Sequence, residues 1–188
     1  GVHARGQVIS FGSDSSIPTE VFSRAMNSRL PRDVRVVSCV EAPEGFHARY
    51  SARRREYKYY LEPAEYSDPF SRRFALTLKS CPPARTLNAC ARKLVGTHDF
   101  TTFSAAGDQS ASKTRTISSA SFYPEGRFIV FRIVGNAFLW KMVRSIVGTV
   151  LEVCKEPNPE ELFADRMEAR DRRRAGTTAP AKGLFLAK

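Results

Sequence analysis

Apolar residues recur at helical spacing in four stretches of the chain and alternate with polar residues in several others. Val21, Phe22, Ala25, Met26 and Leu30 follow Pro18 and predict a helix that Pro31 stops. A second helix is predicted over Pro83–Val95, with Leu87, Ala91, Leu94 and Val95 inward and Gly96 after its end. Phe138–Cys154 reads as a long, mostly buried helix, and Pro159–Arg170 as a shorter amphipathic one. Strand patterns fall at Gln7–Phe11, Val34–Val40, Tyr50–Leu61, Arg115–Tyr123, Arg127–Val134 and Gly183–Ala187. Pro124-Glu125-Gly126 predicts a hairpin between the fourth and fifth of these. Asp99–Phe103 reads as a helix-to-loop turn, and Pro63–Phe74, Gly107–Lys113 and Arg170–Lys182 as loops.

Helices interspersed with strands and hairpins predict an α+β fold with a largely antiparallel sheet and helices packed on one face. The other face is then free to carry basic and aromatic residues toward a ligand. Length and a hydrophobic content of 42% over 188 residues suit one compact domain, or one domain and part of another. No apolar run approaches the roughly 20 residues that would span a bilayer.

Charge sharpens this picture. Lys and Arg total 30 against 19 Asp and Glu, a net +11 that is mostly arginine. Planar guanidinium groups suit bidentate phosphate contact, so a nucleic-acid partner leads. The four cysteines, Cys39, Cys81, Cys90 and Cys154, show no metal-finger spacing, and the three histidines are scattered. No metal site or cofactor is expected. Free thiols suit a reducing compartment, so the cytoplasm is expected, with an organelle still open because the chain begins without methionine.

Three features carry candidate chemistry. In Arg53-Arg54-Arg55-Glu56-Tyr57-Lys58-Tyr59-Tyr60, aromatic rings can stack on unpaired bases while neighbouring cations hold the backbone. An ordinary edge strand kept soluble by charge would look similar. Lys141 and Arg144 interrupt an apolar helix. Lys141 can snorkel to the surface, whereas Arg144, between Met142-Val143 and Ile146-Val147, needs a buried anion, either structural or catalytic. Gly183-Leu184-Phe185-Leu186 reads as a terminal core strand.

Taken together, these segments resemble the TruA-type tRNA pseudouridine synthases. The ordered matches are Gly1–Val8, Phe46–Ala52, Arg55–Tyr59, Gly96–Phe103, Lys113–Ile117, Asn136–Gly148 and Thr178–Leu186. The resemblance implies the pseudouridine synthase fold, a mixed sheet of two similar halves with a basic RNA-binding cleft. Residues 1–49 would be the remainder of the first half and residues 50–188 the second. It also implies conversion of uridine to pseudouridine in the anticodon stem-loop of tRNA, by a homodimer without metal or cofactor. Tyr57 is similar to the family's active-site tyrosine, which stacks on the target uracil. Arg144 is similar to the arginine that pairs with the catalytic aspartate, and Leu184 to the apolar wall of the uracil pocket. His3 falls in the tail of the catalytic loop. His3, Arg49, Arg53, Arg54, Arg115 and Lys141 are the expected RNA contacts.

In that family the catalytic loop reads Gly-Arg-Thr-Asp-Ala just before the segment matched by Gly1–Ala4. The nucleophilic aspartate and the base-displacing arginine are therefore expected upstream of Gly1. None of Asp14, Asp33, Asp68, Asp99, Asp108, Asp165 and Asp171 has the required context. The chain by itself is expected to be inactive. The alternative reading is a non-catalytic fragment or degenerate paralogue that only binds RNA.

Overall fold

The computed structural model describes residues 1–188. They form two compact units, one of Gly1–Gln7 with Arg53–Lys188 and one of Val8–Ala52.

The larger unit is built on a mixed, largely antiparallel sheet. In chain order its strands are β1 (His3–Ala4), β2 (Arg55–Pro63), β3 (Leu76–Leu78), β4 (Gly96–Asp99), β5 (Thr114–Glu125), β6 (Phe128–Gly135) and β7 (Leu184–Leu186). In space the order is β1-β7-β2-β6-β5-β4. One edge of β2 is shared end to end: β7 pairs antiparallel with Tyr57–Tyr59, and β3 pairs parallel with Leu61–Pro63. β5 and β6 form the expected hairpin, closed by Gly126 and Arg127, with Gly126 in the left-handed region that such turns require. A bulge at Ser118 restores the alternation along β5 that packing demands.

Alternation along β2 divides its residues between two environments. Tyr57, Tyr59 and Leu61 meet the helices α2 (Ala84–Arg92), α3 (Met142–Val153) and α4 (Pro159–Glu168). With Phe131, Ile133, Val143, Ile146 and Val150 they form the main core. Each large side chain buried there contributes about 1.5–3 kcal/mol. The opposite face is a ladder of ion pairs over a small aromatic cluster. Arg132 holds Glu56 through two hydrogen bonds of 2.8 and 2.7 Å. Lys58 reaches Glu125 at 2.8 Å, and the Tyr60 and Tyr123 hydroxyls donate to the same carboxylate. These partners hold the carboxyl groups of Glu56 and Glu125 below their ordinary range.

The smaller unit corrects two expectations. Gln7–Phe11 and Val34–Val40 lie in no ladder. Apolar alternation makes a strand only where another backbone accepts from its N–H groups and donates to its C=O groups. Here the Asn27 side chain takes both groups of Val36, at 2.8 and 2.9 Å. Val37 is left 88% exposed. Helix α1 (Thr19–Asn27) follows Pro18 as its pattern predicts.

Other boundaries move for local reasons. β2 starts at Arg55 rather than Tyr50, because His47–Ser51 closes a turn through Ser51 N–H to His47 O. Helix α2 is shorter at both ends than Pro83–Val95, and α4 stops at Glu168, before Arg170 enters the left-handed region at φ 50°. α3 starts at Met142, not Phe138. Lys141 adopts φ 61°, which interrupts the helical path although Phe138 and Leu139 are apolar enough to mimic it. Asp99–Phe103 is the end of a strand and one tight turn, held by Asp99 accepting from Thr101 N–H and Oγ1–H at 2.8 and 2.6 Å.

Gly148 marks the closest approach in the larger unit. A Cβ placed there would lie 1.8 Å from Thr177 O, so only glycine lets the Ala175–Pro180 segment dock on α3. Gly148→Ala is expected to destabilise the fold by about 3 kcal/mol or more. Gly12→Ala, where nothing lies within 4 Å, should stay within about 0.5 kcal/mol. Denaturant unfolding of the two variants checks the contrast.

A candidate active site where β2, β7 and the first turn of α3 meet

Tyr57 sits near the start of β2, half-buried, in register with Leu186 of β7 and Ile133 of β6. Its ring meets Phe138 edge-on, with centroids 5.1 Å apart. Phe138 belongs to the turn before α3, so the tyrosine and the helix approach are packed as one piece. Burial raises the Tyr57 phenol above its ordinary value, against the opposing charge of Arg55. The group is therefore a neutral donor at physiological pH.

Arg144 lies in the first turn of α3. Its Nε donates to Ala179 O at 2.7 Å, and Ala179 N–H donates back to Arg144 O at 3.0 Å. This reciprocal pair fixes the side chain against the docked segment. The guanidinium is partly buried and forms no ion pair with any carboxylate of the chain. The anion that its burial calls for is not among its partners.

Tyr59 links the two. Its hydroxyl donates to Pro180 O at 2.7 Å, one residue beyond the Arg144 acceptor. Burial drives the Tyr59 phenol far up, with the nearby positive charge of Arg144 opposing. Its ring lies so close to Gly183 that a Cβ there would be 2.7 Å away. Leu184 follows, buried and directly opposite Tyr59 in the ladder, and hence diagonal to Tyr57. Tyr57, Arg144 and Leu184 thus line one corner of the helix-covered face. Tyr59 and Phe138 hold that corner in shape. The alternation that puts Tyr57 on this face puts Tyr59 there too, whereas Phe138 reads from the sequence only as the start of a buried helix.

The expected RNA contacts are more scattered. Arg53 and Arg54 are exposed just before β2. Lys141 is exposed at the foot of α3, with its Nζ 4.7 Å from the centre of the Trp140 ring. Arg115 is half-buried; its Nη1 donates to the carbonyls of Ser112 and Thr114 at 2.9 and 2.7 Å, whereas its buried Nε has no hydrogen-bond partner. His3 stacks on Phe185 at 4.7 Å and hydrogen-bonds to Arg73 O at 3.0 Å. Phe185 faces away from Tyr57, so the structure does not bring His3 to the tyrosine corner. Arg49 belongs to the smaller unit, where its guanidinium lies over Tyr50.

A family profile described as tRNA pseudouridine synthase matches residues 90–188. Over 185 residues the chain is 42% identical to a tRNA pseudouridine synthase A of Exiguobacterium sp., covering 98% of this chain and 74% of that protein. It is 41% identical to the enzyme of that name from Borrelia hermsii, over all of this chain and 77% of the relative. A Treponema denticola protein of the same name is 42% identical, over 99% of this chain and 70% of the relative. The fold is thus that of a tRNA-modifying isomerase. The chain belongs to the tRNA pseudouridine synthase family.

The phenols give a pH prediction. Native Tyr57, Tyr59 and Tyr60 keep their protons past the ordinary value of 10.0. The unfolded chain loses them near that value, so above about pH 10 the folded state binds more protons and its stability falls as pH rises. Alkaline titration of tyrosinate absorbance, run beside unfolding curves, should show these rings ionising only as the fold is lost.

Proposed function

We propose that this corner receives a uridine flipped out of the anticodon stem-loop of tRNA and supports its conversion to pseudouridine. The observation that carries the reading is Arg144: a partly buried guanidinium, fixed by a backbone carbonyl, beside the Tyr57 and Leu184 wall and without a carboxylate. A pocket that must hold a catalytic carboxylate needs such a group, to keep the acid ionised and aimed.

The chemistry follows from the parts. The target base has to leave its stack before anything reaches its glycosidic bond. Tyr57 offers a fixed ring for the base to lie against, and Leu184 an apolar wall. A carboxylate paired with Arg144 attacks the sugar C1′ or the base C6. The N1–C1′ bond breaks, the uracil turns, C5 bonds to C1′, and the carboxylate's own bond to C1′ or C6 is broken, which frees it again. C5 loses a proton and N1 gains one, so atoms balance with neither redox chemistry nor a cofactor. With its raised pKa, the Tyr57 phenol is suited to relay that proton rather than to act as a standing base. The excess positive charge, including Arg53, Arg54 and Lys141, is read as the basic RNA-binding surface. A homodimer is part of the same proposal.

Because no carboxylate of the chain pairs with Arg144, the 188-residue chain is expected to bind anticodon-arm RNA without converting it. Pseudouridine formation by this chain alone would overturn the role given to Arg144. When the chain is joined to a segment that supplies the carboxylate, Tyr57→Phe should slow turnover on the order of 10²-fold or more. RNA affinity should change little, and normal turnover would remove Tyr57 from the mechanism. Replacing Arg53 and Arg54 with alanine should weaken RNA binding and flatten the dependence of log affinity on log salt by up to about 2. Filter binding across a salt series measures this.

A further inference from the structure

Trp140 is the one tryptophan of the chain, and its side chain stands out on the surface at 56% exposure. Its neighbour Leu139 is buried in the core. An exposed indole on a surface loop is ordinarily mobile, but this one is fixed at several points. Its backbone N–H donates to Asp108 Oδ2 at 2.5 Å, and its carbonyl accepts from Ala105 N–H at 3.0 Å. Gly107 lies against the ring edge, where a Cβ would be 2.8 Å from Cζ3. Lys141 places its ammonium 4.7 Å from the ring centre, using a left-handed backbone that a lysine adopts at a cost in strain.

The clamp is itself secured. Asp108 also accepts from Lys113 Nζ at 2.6 Å and from Ser110 N–H at 2.9 Å. Lys113 therefore neutralises Asp108, and Lys141, over one face of the ring, remains the cation presented there. The loop holding the indole is the loop that builds the active corner. Two residues before Trp140, Phe138 packs on Tyr57; three residues after Lys141 stands Arg144.

A rigid, exposed aromatic ring with an adjacent cation is the surface that binds unpaired nucleotides, the ring taking a base face and the cation the backbone. We propose that Trp140 is a stacking platform for an unpaired base of the RNA substrate next to the flipped uridine, with Lys141 on the neighbouring phosphate. The nucleotide whose base Tyr57 receives has been pulled from its stack, and its neighbour loses a stacking partner. Trp140 replaces that partner at the rim. This rests on the RNA-binding reading above and adds a specificity-determining residue to it.

Because the indole is the sole tryptophan, its fluorescence reports on the contact without any substitution. Titrating the chain with an anticodon-arm RNA hairpin should quench or shift the indole emission in a saturable way. The midpoint should agree with that from anisotropy of labelled hairpin. Trp140→Ala should weaken binding on the order of tenfold or more, whereas Trp140→Phe, which keeps an aromatic face, should recover most of it. Asp108→Ala, which keeps the ring but frees the loop, should give an intermediate loss.

Hairpin that binds by anisotropy while indole emission stays constant overturns the platform and leaves the proposed function standing. Hairpin that does not bind at all overturns both. Emission that responds equally to a fully paired duplex of the same length also overturns the platform, because a duplex offers no free base face along its length. Should Trp140→Ala fold poorly, the emission titration of the unaltered chain decides alone.

Discussion

The reciprocal hydrogen bonding between Arg144 and Ala179, made possible by the bare backbone of Gly148, is the contact on which the rest of the larger unit depends. The Ala175–Pro180 segment lies on α3 at a distance no side chain at residue 148 would allow. Gly176 N–H donates to Thr149 Oγ1 at 2.9 Å, Ala179 exchanges hydrogen bonds with Arg144, and Pro180 O accepts from Tyr59. The chain then has one direction left, through Gly183 over the Tyr59 ring and into β7. One docked loop therefore sets the aim of the arginine, covers the second tyrosine and delivers Leu184 to the ladder. Buried polar groups are costly unless paired, and these hydrogen bonds pair the backbone groups of the docked segment.

The same economy appears around the turn before α3. Asn136–Lys141 has no regular structure, yet both of its ends are tied. Asn136 O accepts from Arg55 Nη1 at 2.8 Å, and Lys141 O accepts from Ser145 N–H at 2.9 Å. Between these anchors Phe138 and Leu139 turn inward and Trp140 turns outward. The left-handed Lys141 makes that reversal possible within a few residues. A site that must accept a large flexible ligand and also hold reacting groups within fractions of an ångström gains from irregular backbone pinned at both ends, rather than from a longer helix.

Sheet geometry separates the two kinds of polar group in the molecule. Charges on the far face of β2 find partners within the sheet, as Glu56 does with Arg132 and Lys58 with Glu125. The arginine at the tyrosine corner finds only a carbonyl. Ion pairs brace the strands, whereas the Arg144 guanidinium pairs with no carboxylate of the chain. Relatives matched over nearly the whole chain establish the family.

Much of this was legible in the letters alone. Period-two patterns placed β2, β5, β6 and β7, because strands paired inside a sheet must alternate once one face is buried. The ordered run of motifs pointed to the family and to Tyr57, Arg144 and Leu184 as its candidate residues. What no reading of the linear order could supply was whether an alternating segment would find a partner strand. Val34–Val40 did not, and an asparagine side chain took the place of one. Nor could it show that His3 would turn to the far face with Phe185, that the Arg115 guanidinium would fold back on nearby carbonyls, or that Trp140 would be held at the surface by Asp108. Local sequence sets which groups a segment carries and their period. Which of them meet is decided by contacts between residues far apart in the chain, and those exist only once the sheet and α3 have closed around Gly148.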